Sequence, residues 1–154
     1  MPSGRKKQFD TVLTLEKAML HFTQHGFNGT NIHDLLQSMG IGRQSLYDTF
    51  GDKRQLFLQC VDQYENQFAA GLLDLIKTEP DPIDAVEKTF QLVLGLGDDP
   101  DSKGCLVTNS LVELGPHDPE VAQRLRGILT KLRGGIEDRL KEAQASGRLP
   151  GQKN

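Results

Sequence analysis

The sequence predicts an all-helical fold, in which a three-helix helix-turn-helix head is joined by a long helix to a helical body. Three observations lead to this prediction. Apolar residues recur every three or four positions, proline and glycine stand where helices would start and end, and no stretch alternates like a strand. A chain of 154 residues with 36% hydrophobic residues fits one core, and its short apolar runs exclude a membrane span.

The first predicted helix runs from about residue 9 to His25. Its apolar residues fall on one face at spacings of three and four: Leu15, Ala18, Met19 and Phe22. Gly26 follows directly, and glycine readily takes the left-handed conformation that closes a helix. The sequence therefore places the first helix end at this glycine.

Two short helices are predicted next, joined by a glycine-containing turn. Thr30 is expected to cap the first of them, which ends at Gly40 and has an apolar face of Ile32, Leu35, Leu36 and Met39. The second runs from Arg43 to Phe50, with Leu46 on its inner side. Two short amphipathic helices after a longer supporting helix are typical of a helix-turn-helix.

A much longer fourth helix is predicted to begin at Asp52, with Gln55 completing a capping box. It continues to a break at Pro80, and its apolar stripe is Phe57, Cys60 or Val61, Tyr64, Phe68, Leu72 and Leu75. The predicted domains are accordingly a head of residues 1–51 and a body of residues 52–154. The long helix is expected to act as a lever between them.

The remainder of the body is predicted to hold three further helices. The first starts at Asp81 and Pro82 and buries a stripe of Ile83, Val86, Phe90, Val93 and Leu94. The second runs from about Cys105 to Leu114. The last starts at Asp118 and carries a regular stripe of Val121, Leu125, Ile128, Leu132, Ile136 and Leu140.

Charge and cysteine content narrow the class of protein. The net charge is −3, yet residues 1–60 hold seven basic and five acidic side chains, so the amino-terminal part is mildly basic on an acidic body. This balance suits contact with a polyanion at one end only. Cys60 and Cys105 are too few for a disulfide framework or a zinc site and are predicted to be reduced thiols. No cofactor, metal or secretory signal is predicted, and the expected location is the cytoplasm.

The predicted head offers side chains suited to double-stranded DNA. The start of the second helix of a helix-turn-helix meets base edges in the major groove, and flanking groups hold phosphates. Arg43, Gln44 and Ser45 lie at that start, and each can donate to bases or backbone. Thr30 and Lys53, a hydroxyl and a cation at helix starts, are expected phosphate contacts. Tyr47 follows the inward Leu46, so its hydroxyl is expected to reach a phosphate from the flank of the second helix.

The run from Ala18 to Phe57, AMLHFTQHGFNGTNIHDLLQSMGIGRQSLYDTFGDKRQLF, closely resembles the amino-terminal domain of TetR family bacterial transcriptional regulators. The motifs HGF, IHDLL and GIGRQSLYDTF appear in order with the spacing of that family, and GCLVTNSLVEL and HDPEV match it less specifically. By position, the resemblance puts Arg43, Gln44, Ser45 and Tyr47 on the reading helix. It puts Thr30 and Lys53 at phosphate-contacting places.

The resemblance implies a homodimeric repressor that a small-molecule effector releases from its operator. Members generally continue with two more helices that form the dimer interface, and these carboxy-terminal helices are expected to be missing after SGRLPGQKN. Candidate residues for an effector pocket lie on the apolar faces of the body helices, and they are Tyr64, Phe68, Phe90, Leu94, Cys105, Asn109 and Val112. Asn109 is included because a buried amide needs a polar partner.

Two alternatives remain open at the level of sequence. The first is a regulator that senses thiol-reactive compounds or electrophiles through Cys105. The second is a helical interaction module that does not bind DNA. An enzyme is not predicted, because the four histidines show no ligand spacing with carboxylates and there is neither a phosphate-binding glycine loop nor a nucleophile elbow.

Overall fold

The computed structural model describes residues 9–151, and the regular structure within them is helical, which confirms the predicted fold class. The basic start of the chain, residues 1–8, and the last three residues lie outside this range. The helices are α1 (Thr11–His25), α2 (Ile32–Met39), α3 (Arg43–Phe50), α4 (Lys53–Tyr64), α5 (Ala70–Thr78), α6 (Pro82–Gly95), α7 (Leu106–Leu114) and α8 (Pro119–Ala145). A π-helical turn, Glu65–Ala69, joins α4 to α5. Between residues 9 and 151, no helix is both long and apolar enough to cross a membrane.

Side-chain caps fix where the helices begin. The predicted capping box of α4 is present: the Gln55 N–H donates to Asp52 Oδ1 at 2.8 Å, and the Asp52 N–H donates to Gln55 Oε1 at 2.8 Å. Asp10 accepts from the N–H groups of Val12 and Leu13 at the start of α1. Each cap satisfies backbone donors that the first helical turn leaves without a partner.

The predicted cap of α2 was wrong by one residue. Asn31 is the cap, and its side-chain oxygen accepts from the Asp34 N–H at 2.8 Å. Thr30 is only 2% exposed, and its hydroxyl donates to the Gly26 carbonyl at 2.5 Å. That bond closes the turn after α1, where Gly26 has a φ of +74°. The hydroxyl of Thr30 therefore stabilises the turn between α1 and α2 rather than the start of α2.

The core of the head is built around three phenylalanine rings. Phe57 of α4 meets Phe22 of α1 edge to face, with ring centroids 5.3 Å apart, and meets Phe27 similarly at 5.2 Å. Phe22 and Phe57 are each at most 1% exposed. Leu35 from α2 and Leu46 from α3 are fully buried in the same core. This packing holds the two short helices against α1 and α4.

The lever is one continuous run of helix, as predicted, but it contains a π-helical turn that the sequence pattern did not indicate. It ends at Thr78, just before the predicted break. Beyond the turn, α5 packs on α8, where Leu73 and Ile76 lie around Gly135. The long helix thus shares a core with the head at its start and with α8 at its end.

The prediction that the apolar stripe of α6 is buried was wrong for its second half. Phe90, Val93 and Leu94 are 53%, 45% and 70% exposed. The buried face of α6 is instead Pro82, Ala85 and Thr89. These small residues let α6 pack closely on α5 and α8, and that packing turns the larger apolar side chains outward. Two faces of α6 were compatible with helical spacing, and the sequence prediction chose the more apolar one.

We predict that Phe57→Ala lowers the free energy of unfolding by about 3–5 kcal/mol, because it opens a cavity in a buried aromatic cluster. Phe90→Ala removes the same atoms from an exposed site and should cost less than about 0.5 kcal/mol. Urea denaturation followed by circular dichroism measures both values. Similar losses in the two variants would contradict the assignment of the core.

Candidate nucleic-acid interface and ligand cavity

The outer side of α3 is open to solvent. Leu46 and Phe50 are buried and fix the inner side of this helix, whereas Arg43 and Gln44 at its start are exposed. Ser45 is half-buried, and the Tyr47 ring is 45% exposed. The cap residue of α3, Gly42, offers no side-chain acceptor to the first turn. The structure therefore presents the predicted reading residues as one polar end of a short, well-anchored helix.

Gln44 and Asp48 share this surface. The Gln44 amide donates to Asp48 Oδ1 at 2.8 Å, one helical turn further along α3. This contact holds the amide along the helix surface while its oxygen stays available as an acceptor. If the Gln44 amide nitrogen donates to a base, the acceptor on that base must take the place of Asp48 Oδ1.

Lys53 lies beside α3 in the first turn of α4. Its ammonium group stands 4.4 Å from the centroid of the Phe27 ring, a cation–π geometry. Burial lowers the pKa of Lys53, and the nearby negative charge of Glu113 opposes that shift. Thr30 does not belong to this open surface, because its side chain is buried and donates to Gly26.

A cavity of about 200 Å³ lies between α1, the lever and the start of α7. Three of the predicted pocket residues meet there: Tyr64, Phe68 and Cys105. The Tyr64 hydroxyl is 3.2 Å from Cys105 Sγ, and the rings of Tyr64 and Phe68 are 5.1 Å apart. The other lining residues are Glu16, Met19, Leu20, Thr23, Leu96, Gly104 and Leu106.

Four predicted pocket residues do not line this cavity. Phe90 and Leu94 are exposed on the outer face of α6, and Val112 is 75% exposed on α7. Asn109 is exposed as well, and its amide donates to the Lys103 carbonyl at 2.7 Å. The polar partner that this amide would need if buried is therefore found in the loop before α7 and not inside the body.

The α1 side of the cavity was missed by sequence reasoning. Met19 was assigned to the core of the head, and Leu20 was left outside the apolar face, yet both line the cavity. Leu20 is 57% exposed, a large apolar side chain outside the core. Leu20 directly follows Met19, and this additional apolar residue beside the buried face of α1 could have indicated a second apolar surface.

The two cysteines have different environments. Cys60 is fully buried, and burial raises the pKa of its thiol well above the usual range. Cys105 is half-buried at the start of α7 and faces the Tyr64 hydroxyl. Burial, and then the hydrogen bond with Cys105, raise the pKa of Tyr64 above its ordinary value. Tyr64 therefore remains a neutral phenol next to the thiol at physiological pH.

Two sets of long-range polar contacts were not foreseen: one joins the head to α7, and the other joins α4 to the start of α8. Both carboxylate oxygens of Glu113 on α7 accept N–H groups from the turn after α1, those of Phe27 at 2.9 Å and Asn28 at 2.8 Å. Arg54 in α4 pairs with Asp118 and Glu120 at the start of α8, at 3.1 and 2.9 Å. Each pair is more than 60 residues apart in sequence, so no local pattern could indicate it.

Comparison with known proteins shows similarity along nearly the whole chain. A family model described as "Bacterial regulatory proteins, tetR family" matches residues 15–60, and one described as "Tetracyclin repressor-like, C-terminal domain" matches residues 82–154. The transcriptional regulator YezE of Bacillus subtilis is 37% identical over 150 residues, which are 97% of this chain and 77% of YezE. The chain belongs to the TetR family.

Two further TetR-type relatives are similar. The repressor ComR of Escherichia coli is 30% identical over 96% of this chain and 71% of its own length. A cysteine mutant of the TetR family regulator CifR, solved with a 26 bp double-strand operator DNA, superposes with a TM-score of 0.74. That match has 25% identity and covers 98% of this chain and 79% of CifR.

Family membership decides the general activity. The protein is a DNA-binding transcriptional regulator and not an enzyme, as the sequence predicted. The first family model spans residues 15–60, from α1 into α4, and the second spans residues 82–154, from α6 to the end of the chain. Residues from both matched segments line the cavity: Glu16, Met19, Leu20 and Thr23 from the first, and Leu96, Gly104, Cys105 and Leu106 from the second.

We predict that iodoacetamide alkylates Cys105 before Cys60 in the folded protein, because only Cys105 has an exposed fraction. Cys60 should react only when the core opens. Peptide mass mapping over a time course measures the two rates, and both cysteines should react alike in guanidinium chloride. Equal rates in native buffer would contradict the environment assigned to Cys60.

Proposed function

We propose that this regulator is a ligand-responsive repressor that reads double-stranded operator DNA as a homodimer and is released by a small molecule in the cavity. One observation carries the proposal. Lys53 at the DNA-facing end and Tyr64 in the cavity belong to the same helix, α4. A ligand that binds beside Tyr64 therefore contacts the same helix that carries Lys53 next to α3.

The DNA-reading part of the proposal is supported by exposure and chemistry. Arg43 and Gln44 are exposed at the start of α3, where side chains of a helix-turn-helix meet bases, and Ser45 stands beside them half-buried. Tyr47 and Lys53 flank this end with a hydroxyl and a cation suited to phosphate oxygens. The DNA lies in the cytoplasm of a bacterium, which is the proposed place of action.

A pair of heads is proposed because one helix-turn-helix makes few contacts. Dimeric readers bind half-sites about 10 base pairs apart. The operator in the CifR structure has 26 bp, which is long enough for two such half-sites. We propose the same pairing of heads for this chain, with the gain in affinity that two tethered heads provide.

The cavity defines the class of effector. Its walls are largely apolar, with a phenol–thiol pair on one side and Glu16 and Thr23 at other positions. A volume of about 200 Å³ suits a small, mostly apolar molecule with one polar group able to bond to Tyr64. Such a ligand releases DNA only to the extent that it binds the DNA-free arrangement more tightly.

A second candidate is a sensor of electrophiles. The sulfur of Cys105 lies in the wall of the same cavity, half-buried and within 3.2 Å of the Tyr64 hydroxyl. A compound that alkylates this thiol would occupy the cavity through a covalent bond. The two candidates share the cavity and differ in whether the occupant is bound reversibly.

For the DNA-binding surface, we predict that Lys53→Ala weakens binding to all duplexes and reduces the slope of log K against log salt by about 1. The probe is a duplex selected from a random library by the wild-type protein, titrated by fluorescence anisotropy. Lys77→Ala, in an exposed position at the end of α5, should leave the slope unchanged. Gln44→Ala should instead relax base preference. An unchanged slope in Lys53→Ala would remove this residue from the phosphate contacts.

For the cavity, we predict that the iodoacetamide adduct of Cys105 lowers affinity for the selected duplex, because the attached group occupies the cavity beside α4. Cys105→Ser treated in the same way should bind as before. Mass spectrometry confirms the adduct on the wild-type protein before the titration. Unchanged binding by a fully modified protein would contradict both the ligand and the electrophile candidate.

A further inference from the structure

We infer that Glu113 is a positioning residue for DNA binding: its carboxylate holds the turn between α1 and α2 where the head can engage a duplex. The inference rests on the proposed use of α3 as the reading helix. It is independent of what occupies the cavity.

Both oxygens of the Glu113 carboxylate accept hydrogen bonds from the turn. Oε2 accepts the Phe27 N–H at 2.9 Å, and Oε1 accepts the Asn28 N–H at 2.8 Å. Two successive N–H groups that converge on one anion form a small anion-binding concavity. Here a side chain of the body fills it, and hydrogen bonds to an ionised acceptor are stronger than neutral ones.

Gly26 makes room for this contact. A β-carbon at this position would lie 2.8 Å from Oε2 of Glu113, closer than real contacts allow. The φ of Gly26 is +74°, a conformation that other residues rarely adopt. The turn therefore has both the backbone shape and the open space that the carboxylate requires.

The turn held by Glu113 determines the position of DNA-facing groups. The ring of Phe27 packs against Phe57 and lies under the ammonium group of Lys53. The same turn leads directly into α2, the first short helix of the helix-turn-helix. A shift of the turn would displace the ring beneath the Lys53 ammonium group and would also move the start of α2.

The other end of α7 borders the cavity. Leu106, its first residue, lines the cavity, and Glu113 follows seven residues later. Seven residues of α-helix span about 10 Å, a short and rigid distance. The helix α7 thus links the cavity to the turn by a route separate from α4.

The test compares Glu113→Gln with the wild type on the library-selected duplex and on a scrambled duplex. The glutamine keeps one acceptor but directs an NH₂ group at the second N–H, so we expect roughly tenfold weaker binding to the selected duplex. Loss on the scrambled duplex should be smaller, and the salt slope should not change, because no phosphate contact is removed. Glu87→Gln makes the same charge change at an exposed position of α6 and should bind within about twofold of wild type.

Three results would overturn the inference. Removing a negative charge near DNA favours binding by itself. Equal or tighter binding by Glu113→Gln would therefore overturn the inference. A loss that vanishes after correction for the folded fraction, measured by circular dichroism, would show a purely structural role. Equal losses on both duplexes would exclude positioning too. If the wild-type protein selects no duplex, the assignment of α3 fails as well, which distinguishes that failure from one confined to Glu113.

Discussion

The packing of α4 into one continuous core, which the head and the body share, is the constraint on which the rest of the structure depends. Phe57 completes the aromatic cluster of the head, and Val61, one turn later, is buried in the same cluster of side chains as Leu125 of α8. A helix is stiff over this distance, because its backbone hydrogen bonds lie within the segment. Head and body therefore cannot move independently without disrupting the core that they share.

Polar contacts restrict the orientation of the head, which apolar packing alone leaves less defined. Glu113 of the body accepts hydrogen bonds from backbone N–H groups of the head, and Asp118 and Glu120 pair with Arg54 in the first turn of α4. Exposed ion pairs contribute little to the free energy of unfolding. The geometry of these hydrogen bonds nevertheless restricts how the head is oriented, because a hydrogen bond weakens when its distance or angle departs from a narrow range. The cations left facing outward, such as Arg43, are then free to meet an external polyanion.

Much of the helical layout followed from local chemistry in the sequence. Asp52 with Gln55, Asp81 with Pro82 and Asp118 with Pro119 mark helix starts. The Asp and Gln side chains accept from local backbone N–H groups, and proline has no N–H that needs a partner there. The two parts of the candidate site, the exposed end of α3 and the cavity, were not equally predictable from the sequence. The exposed end of α3 was predictable, because buried Leu46 fixes which side of a short helix faces inward. The cavity was only partly predictable, because its α1 wall comes from residues that the pattern assigned elsewhere.

The sequence by itself determined the helices, the helix-turn-helix order and the family, since caps, glycine turns and apolar spacing act within a few residues. Tertiary structure alone decided which of two faces of α6 was buried, which side chains met at the cavity and which carboxylate reached the turn after α1. These outcomes depend on contacts between residues distant in sequence. Helical spacing gives the directions in which side chains point, but only packing selects their partners.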